Sequence, residues 1–196
     1  YATGGNTWIH KSKDLVHWTY VGGAYEDDKK PSWEPEAGIW APDINYINGK
    51  YVMYYSLSKW GGGATCGIGV SVSDKPEGPF TDQGKLFRSN EIDVHNSIDP
   101  FYIEDNGKKY LFWGSWYGIW GIELTEDGLG LKGGIENAKA TKIQVAANTG
   151  GTNAYEGSYI LKRGKYYYLF CSTGTCCDGA NSTYQTVVCR STELFG

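Results

Sequence analysis

Apolar and polar positions alternate along this chain in short bursts broken by polar turns, the period-2 pattern of half-buried strands. Three segments share one order. Ala41 to Ser56 reads APDINYINGKYVMYYS, Asp99 to Ser115 reads DPFYIEDNGKKYLFWGS, and Glu156 to Ser172 reads EGSYILKRGKYYYLFCS. Each holds an acidic residue near its start, a short strand, a polar turn and a strongly aromatic strand. The spacing is steady: Asp43 to Asp99 is 56 residues and Asp99 to Glu156 is 57, while the turn glycines Gly49, Gly107 and Gly164 are 58 and 57 apart. A recurrence of that length marks a repeat architecture.

A third alternating segment follows each aromatic strand: Cys66 to Ser73, Gly118 to Leu124 and Tyr184 to Ser191. Phe80 to Phe87 reads as a fourth. Three to four short antiparallel strands per unit, without helical periodicity, predict an all-β fold of propeller blades. The unit is too long for a WD40 blade and lacks its Gly-His and Trp-Asp pairs, and the double-glycine pattern of kelch is not evident. Asn6 to Lys13 and Trp18 to Ala24 match a third and a fourth strand. The expected organisation is therefore the outer half of one blade in residues 1–30, a blade in 31–90, another in 91–148 and an incomplete one in 149–196. That is about 3.4 units, short of the four to eight with which propellers close. Another chain or a missing segment is expected to complete the ring.

Composition narrows the partners. The chain of 196 residues has 22 acidic and 18 basic side chains, a net charge of −4 that offers no electrostatic footprint for nucleic acid or an anionic membrane. The longest apolar runs, such as Tyr166 to Cys171, are far too short for a membrane helix, and no membrane insertion is expected. With 28 glycines and 15% aromatics beside a single Met, the chain favours aromatic strands and tight turns over amphipathic helices. Five cysteines are too few and too irregular for a disulfide scaffold. For Cys176 and Cys177 both a vicinal ring and free thiols stay open; Cys171 and Cys189 fall on neighbouring predicted strands.

In order and spacing, the motifs Asn6 to Trp18 (NTWIHKSKDLVHW), Trp40 to Asp43 (WAPD), Gly49 to Ser56, Asn96 to Pro100 (NSIDP), Tyr155 to Tyr159 (YEGSY) and Cys176 to Tyr184 (CCDGANSTY) resemble glycoside hydrolase family 43. That family folds as a five-bladed β-propeller. The Cys-Cys-x-Gly and Ser-Thr-Tyr elements are similar to its endo-arabinanase-like members. The resemblance implies an inverting glycosidase acting on arabinose- or xylose-containing plant polysaccharide, with an oligo- or polysaccharide as partner. It also implies a secreted, periplasmic or cell-surface location. An exo-acting α-L-arabinofuranosidase or β-xylosidase, and a non-catalytic carbohydrate-binding propeller, are the alternatives.

First strands of propeller blades line the central axis, so acids recurring there converge on one polar pocket. Glycosidic cleavage needs a proton donor on the leaving oxygen and a second carboxylate on the opposite face. By position the resemblance implies Glu156 as general acid and Asp99 as the residue that modulates its pKa. It places the general base in a first strand ahead of Tyr1, so this stretch alone is expected to be inactive. Asp43, at the repeat position of the first motif, is given a structural or pocket-wall role. Trp40, Trp116 and Tyr117 are candidates for stacking on sugar rings, which offer aromatic side chains an apolar face. Asn96 carries an amide able to bind hydroxyls. No cofactor is required; relatives hold Ca2+ or a water cluster in the central channel, but His95 has no second histidine nearby in sequence.

Overall fold

The computed structural model describes residues 7–147 and 155–196. Asn6, at the head of the first expected strand, and the expected junction at 148–149 lie outside them. The described residues form four antiparallel sheets, each laid down in simple meander order. The first pairs β1 (Trp8–Lys11) with β2 (Thr19–Gly23). The second holds β3 (Gly38–Ile47), β4 (Lys50–Ser58), β5 (Gly67–Ser73) and β6 (Thr81–Arg88). The third holds β7 (Phe101–Asp105), β8 (Lys108–Trp113), β9 (Ile119–Glu123) and β10 (Ile143–Ala146). The fourth holds β11 (Glu156–Arg163), β12 (Tyr166–Thr173) and β13 (Gln185–Ser191).

The aromatic second strands are explained by where they stand. Successive side chains of a strand point to opposite faces, and β4 is covered on both. Val52 and Tyr54 join Ile68, Leu111, Trp113 and Ile122 in the core between the second and third sheets. Met53, Tyr55 and Leu57 join Ala24, Tyr25 and Phe80 on the other side. The same split recurs in β8, where Leu111 and Trp113 face back and Phe112 faces forward onto Ile160, Tyr167 and Cys171. A strand buried on both faces reads as a continuous apolar run rather than an alternation. Trp113 is fully buried, worth about 3 kcal/mol for a side chain of that size. Its indole N–H is satisfied by Ser97 Oγ at 3.0 Å.

One feature departs from the sequence expectation of no helical structure. The connection into β10 contains α2 (Gly134–Thr141), and a short α1 (Ser89–Ile92) follows β6. In α2 only Ala138 is buried. Only Ile135 joins Ala138 against the core, so the helix carries no extended apolar stripe at period 3.6 and pattern reading passes over it.

Candidate active site

The acid at the head of the fourth sheet is placed by two neighbours. Glu156 opens β11, pairs with Ser172 of β12, and forms an isolated bridge to Ser115 beyond the end of β8. The register shifts between Glu156 and Tyr159, where Gly157 takes φ +61. A side-chain-bearing residue is strained there. The Glu156 side chain is 8% exposed and accepts on both oxygens. Ser115 Oγ donates to Oε2 at 2.7 Å and the Tyr184 hydroxyl donates to Oε1.

Asp99 stands one sheet back, at φ +60 just ahead of Pro100 and β7, with its N–H donating to Ser56 Oγ at 2.9 Å. Its carboxyl is pushed up to about 7, first by burial away from water and then by the negative charge of Glu156. The N–H of Gly157 pulls the other way. A serine closing one sheet's hairpin therefore supports the next sheet's acid twice over: Ser56 for Asp99 and Ser115 for Glu156.

Around these acids the backbone is unusually bent. Ala41, Asn96, Asp99 and Trp116 all have positive φ without being glycine. Such conformations cost about 1–3 kcal/mol each and gather where a side chain must be aimed. Gly114 and Gly118 make the Trp116 loop possible. A Cβ on Gly114 would come within 2.1 Å of the Gly118 carbonyl, so the loop closes on itself and leaves Trp116 and Tyr117 more than half exposed. His95 meets the Tyr117 ring edge-on at 4.7 Å and lies against Gly63, where a Cβ would approach its Nε2 to 2.6 Å. Trp40 packs on Trp60, ring centres 6.1 Å apart, and Trp60 is 75% exposed.

The structure brings Glu156, Asp99, Asn96, Trp116 and Tyr117 together. The Asn96 amide is engaged within the protein: its Nδ2 donates to Ser115 Oγ at 2.9 Å, its Oδ1 accepts from the Cys66 thiol, and its N–H donates to the Gly63 carbonyl. Asn96 thus props the serine that holds the acid. Trp40 faces Ser56 as Glu156 faces Ser172, so the β3 counterpart of the acid is Trp40, and Asp43 lies past a bulge. The two hairpins are equally long from head to head and each turns through two residues, so the acid of the first motif simply sits three residues further along its strand, where β11 carries Tyr159. Asp43 Oδ2 accepts the N–H of Tyr102 at 2.7 Å and Asn45 Nδ2 at 2.9 Å, tying the second sheet to the third. Burial raises its carboxyl above the ordinary range, although both hydrogen bonds oppose this.

Sequence reading missed Ser56, Ser115, Trp60 and Tyr184 as site residues. The signal for the serines was present, since each ends a repeat unit. Cys176 and Cys177 are disulfide-bonded, while Cys171 and Cys189 are free thiols, diagonal to each other on β12 and β13. The donors do not fit a metal ion: among the described residues no three His, Cys, Asp or Glu side chains gather to hold one. Among those residues no helix is long and apolar enough to cross a membrane.

The sequence model of Glycosyl hydrolases family 43 matches residues 2–196. The chain belongs to that family. It is 34% identical over 188 residues to a probable arabinan endo-1,5-α-L-arabinosidase A of Aspergillus clavatus, covering 91% of this chain and 56% of the relative. It is 33% identical over 214 residues to an extracellular exo-α-(1→5)-L-arabinofuranosidase of Cellvibrio japonicus, covering 100% of this chain and 61% of that protein. The structure of Cellvibrio cellulosa α-L-arabinanase complexed with arabinohexaose superimposes with a TM-score of 0.82 at 32% identity, covering 96% of this chain and 65% of that one. The fold is accordingly that of the family 43 five-bladed β-propeller, and the chain spans little more than half the length of these curated relatives.

Proposed function

We propose that the protein is an inverting glycosidase of α-1,5-linked arabinan, with Glu156 as the general acid and Asp99 as the residue that modulates its pKa. The observation that carries this reading is the pairing itself. Glu156 is buried, aimed by hydroxyls on both oxygens, and adjoins a second carboxyl whose own protonation it disturbs. Two carboxyls that share a desolvated site resist ionising together, and the cost falls on Asp99, whose carboxyl is pushed up to about 7, so the pair retains a proton into the neutral range. The Asp99 carboxyl accepts the N–H of Gly157, the residue after the acid, which keeps it beside Glu156 and suits it to regulate charge there.

The rim supplies recognition. Trp40 with Trp60, and Tyr117 beside Trp116, present ring faces that match the apolar face of a furanose. The secreted setting follows from the extracellular relative. Endo-acting and exo-acting relatives are similar at nearly equal identity, and the endo reading is preferred on the disulfide loop motif. The test is product analysis of linear 1,5-arabinan digested by the full-length protein. A ladder of oligosaccharides at early times supports endo cleavage; a single released product would establish the exo mode, and no hydrolysis would sink the arabinanase reading.

A further inference from the structure

Glu156 is held by a residue that belongs to an otherwise unassigned loop. Residues 174–184 connect β12 to β13 and close on themselves. Thr183 N–H donates to the Thr175 carbonyl and Thr175 N–H to Thr183 Oγ1, both at 3.0 Å, while Asp178 N–H donates to Ser182 Oγ at 3.0 Å. At the neck, a Cβ on Gly174 would come within 2.5 Å of the Thr183 carbonyl. The tip carries the Cys176–Cys177 disulfide and a single 3-10 turn, Gly179–Asn181. Tyr184, the next residue after this closed ring, is 40% exposed, yet its hydroxyl reaches Glu156 Oε1.

We infer that Tyr184 is a positioning residue for Glu156, and that the loop, closed at its neck by the Thr175–Thr183 hydrogen bonds and stiffened at its tip by the Cys176–Cys177 disulfide, fixes where Tyr184 stands. The inference rests on the reading of Glu156 as the acid. The terminal torsion of a glutamate is broad, so a carboxyl held only by Ser115 of the neighbouring sheet could turn about its last bond. A second donor, from the acid's own sheet, fixes its plane and with it the direction in which it meets the leaving oxygen. The loop supplies this donor from a closed turn whose internal hydrogen bonds leave its base little freedom.

The experiment compares wild type, Glu156→Gln, Tyr184→Phe and the double variant Cys176→Ser/Cys177→Ser in the full-length protein. Two substrates are used: linear 1,5-arabinan, and a 2,4-dinitrophenyl arabino-oligoside whose leaving group departs without a proton. Tyr184→Phe is expected to lower kcat on arabinan by about 10-fold, with KM unchanged, because a small misplacement of a catalytic group is felt strongly. Its rate on the dinitrophenyl substrate stays within about twofold of wild type, since acid catalysis is not needed there. The double variant lowers kcat on arabinan by less, again with the dinitrophenyl rate unchanged. A Tyr184→Phe enzyme that keeps the wild-type kcat on arabinan, or loses rate equally on both substrates, would overturn the role of Tyr184. A double variant with wild-type kcat on arabinan would overturn the role of the loop. Glu156→Gln separates the two levels: if it cleaves arabinan normally, the acid assignment itself has failed.

Discussion

Asp99 and Glu156 stand at the heads of the third and fourth sheets, and Asp43 and Asp105 lie further along β3 and β7. All four lie where one sheet meets the next, but their surroundings differ in kind. Asp43 takes a backbone N–H from the neighbouring sheet, and Asp105 takes Lys162 Nζ and the Tyr167 hydroxyl. These two fasten sheets together. Asp99 and Glu156 instead face each other, so that one charge raises the cost of the other. Burial pushes the Asp105 carboxyl up, but Lys162 and Tyr167 outweigh it and hold the group below the ordinary range, whereas Asp99 is driven to about 7. Position in the repeat brings an acid to a seam between sheets. Whether it meets a cation, an amide or another acid decides whether it is a fastener or a chemical group.

The strongest test of this division is Glu156→Gln, which should lower kcat on arabinan by about 10²–10⁴-fold, the usual worth of a general acid. Far-UV circular dichroism should be unchanged. Asp99→Asn comes next, with about a 10²-fold loss on the same scale and a stability change of opposite sign. Because the folded-state value of Asp99 is raised, native Asp99 binds its proton more tightly than the unfolded chain, and wild-type stability falls as pH rises from about 4 to about 7. The Asn variant escapes that loss. It should be more stable than wild type by about 4 kcal/mol above pH 7, the rise from 3.8 to about 7 taken at about 1.36 kcal/mol per pKa unit, with no gap below about pH 4. Urea denaturation at pH 8 and pH 4 checks this; equal stability at both would place Asp99 outside the desolvated pair.

The sheets were legible because the repeat is written in strand chemistry. Aromatic runs such as Val52 to Leu57 mark a strand covered on both faces, and the turn glycines keep count. The acids were legible as positions, and Glu156 and Asp99 came from the motifs around them. What stayed hidden was anything set by contacts between residues far apart in the chain. Asn96 shows a side-chain amide in sequence but not that Ser115, 19 residues on, engages it. Tyr184 reads as the first residue of a strand, and only the path of its loop carries its hydroxyl 28 residues back to Glu156. Asp43 misled because it sits three residues past the head of β3, so the spacing between acids stays almost constant although Trp40 holds the position that Glu156 holds in β11.

The fasteners supply the smaller effects. Asp105→Asn should destabilise by about 2 kcal/mol at pH 7, the range for breaking a buried charged contact that keeps one neutral partner. Lys162 is well exposed, which limits the loss. Since Asp105 is held below the ordinary carboxylate value, its contribution is present above about pH 4 and fades as pH falls through the folded value. Its pH dependence is thus the reverse of that for Asp99. Kinetics at 25 °C should be unaffected.

Asp43→Asn is the subtlest case and the one that divides pocket wall from fastener. The amide carbonyl can still accept Tyr102 N–H, and Asn carries no charge to desolvate, so stability should move by less than about 1 kcal/mol. Asp43→Ala leaves that N–H unpaired in a seam where Tyr102 is 9% exposed, and should cost about 1–3 kcal/mol. In both variants KM for arabinan should stay within about twofold, because the carboxylate is committed to the next sheet and a group that touches no substrate contributes nothing to binding it. A severalfold rise in KM for Asp43→Asn, with stability unchanged, would move Asp43 into the substrate pocket and leave Asp105 as the only pure fastener of the four.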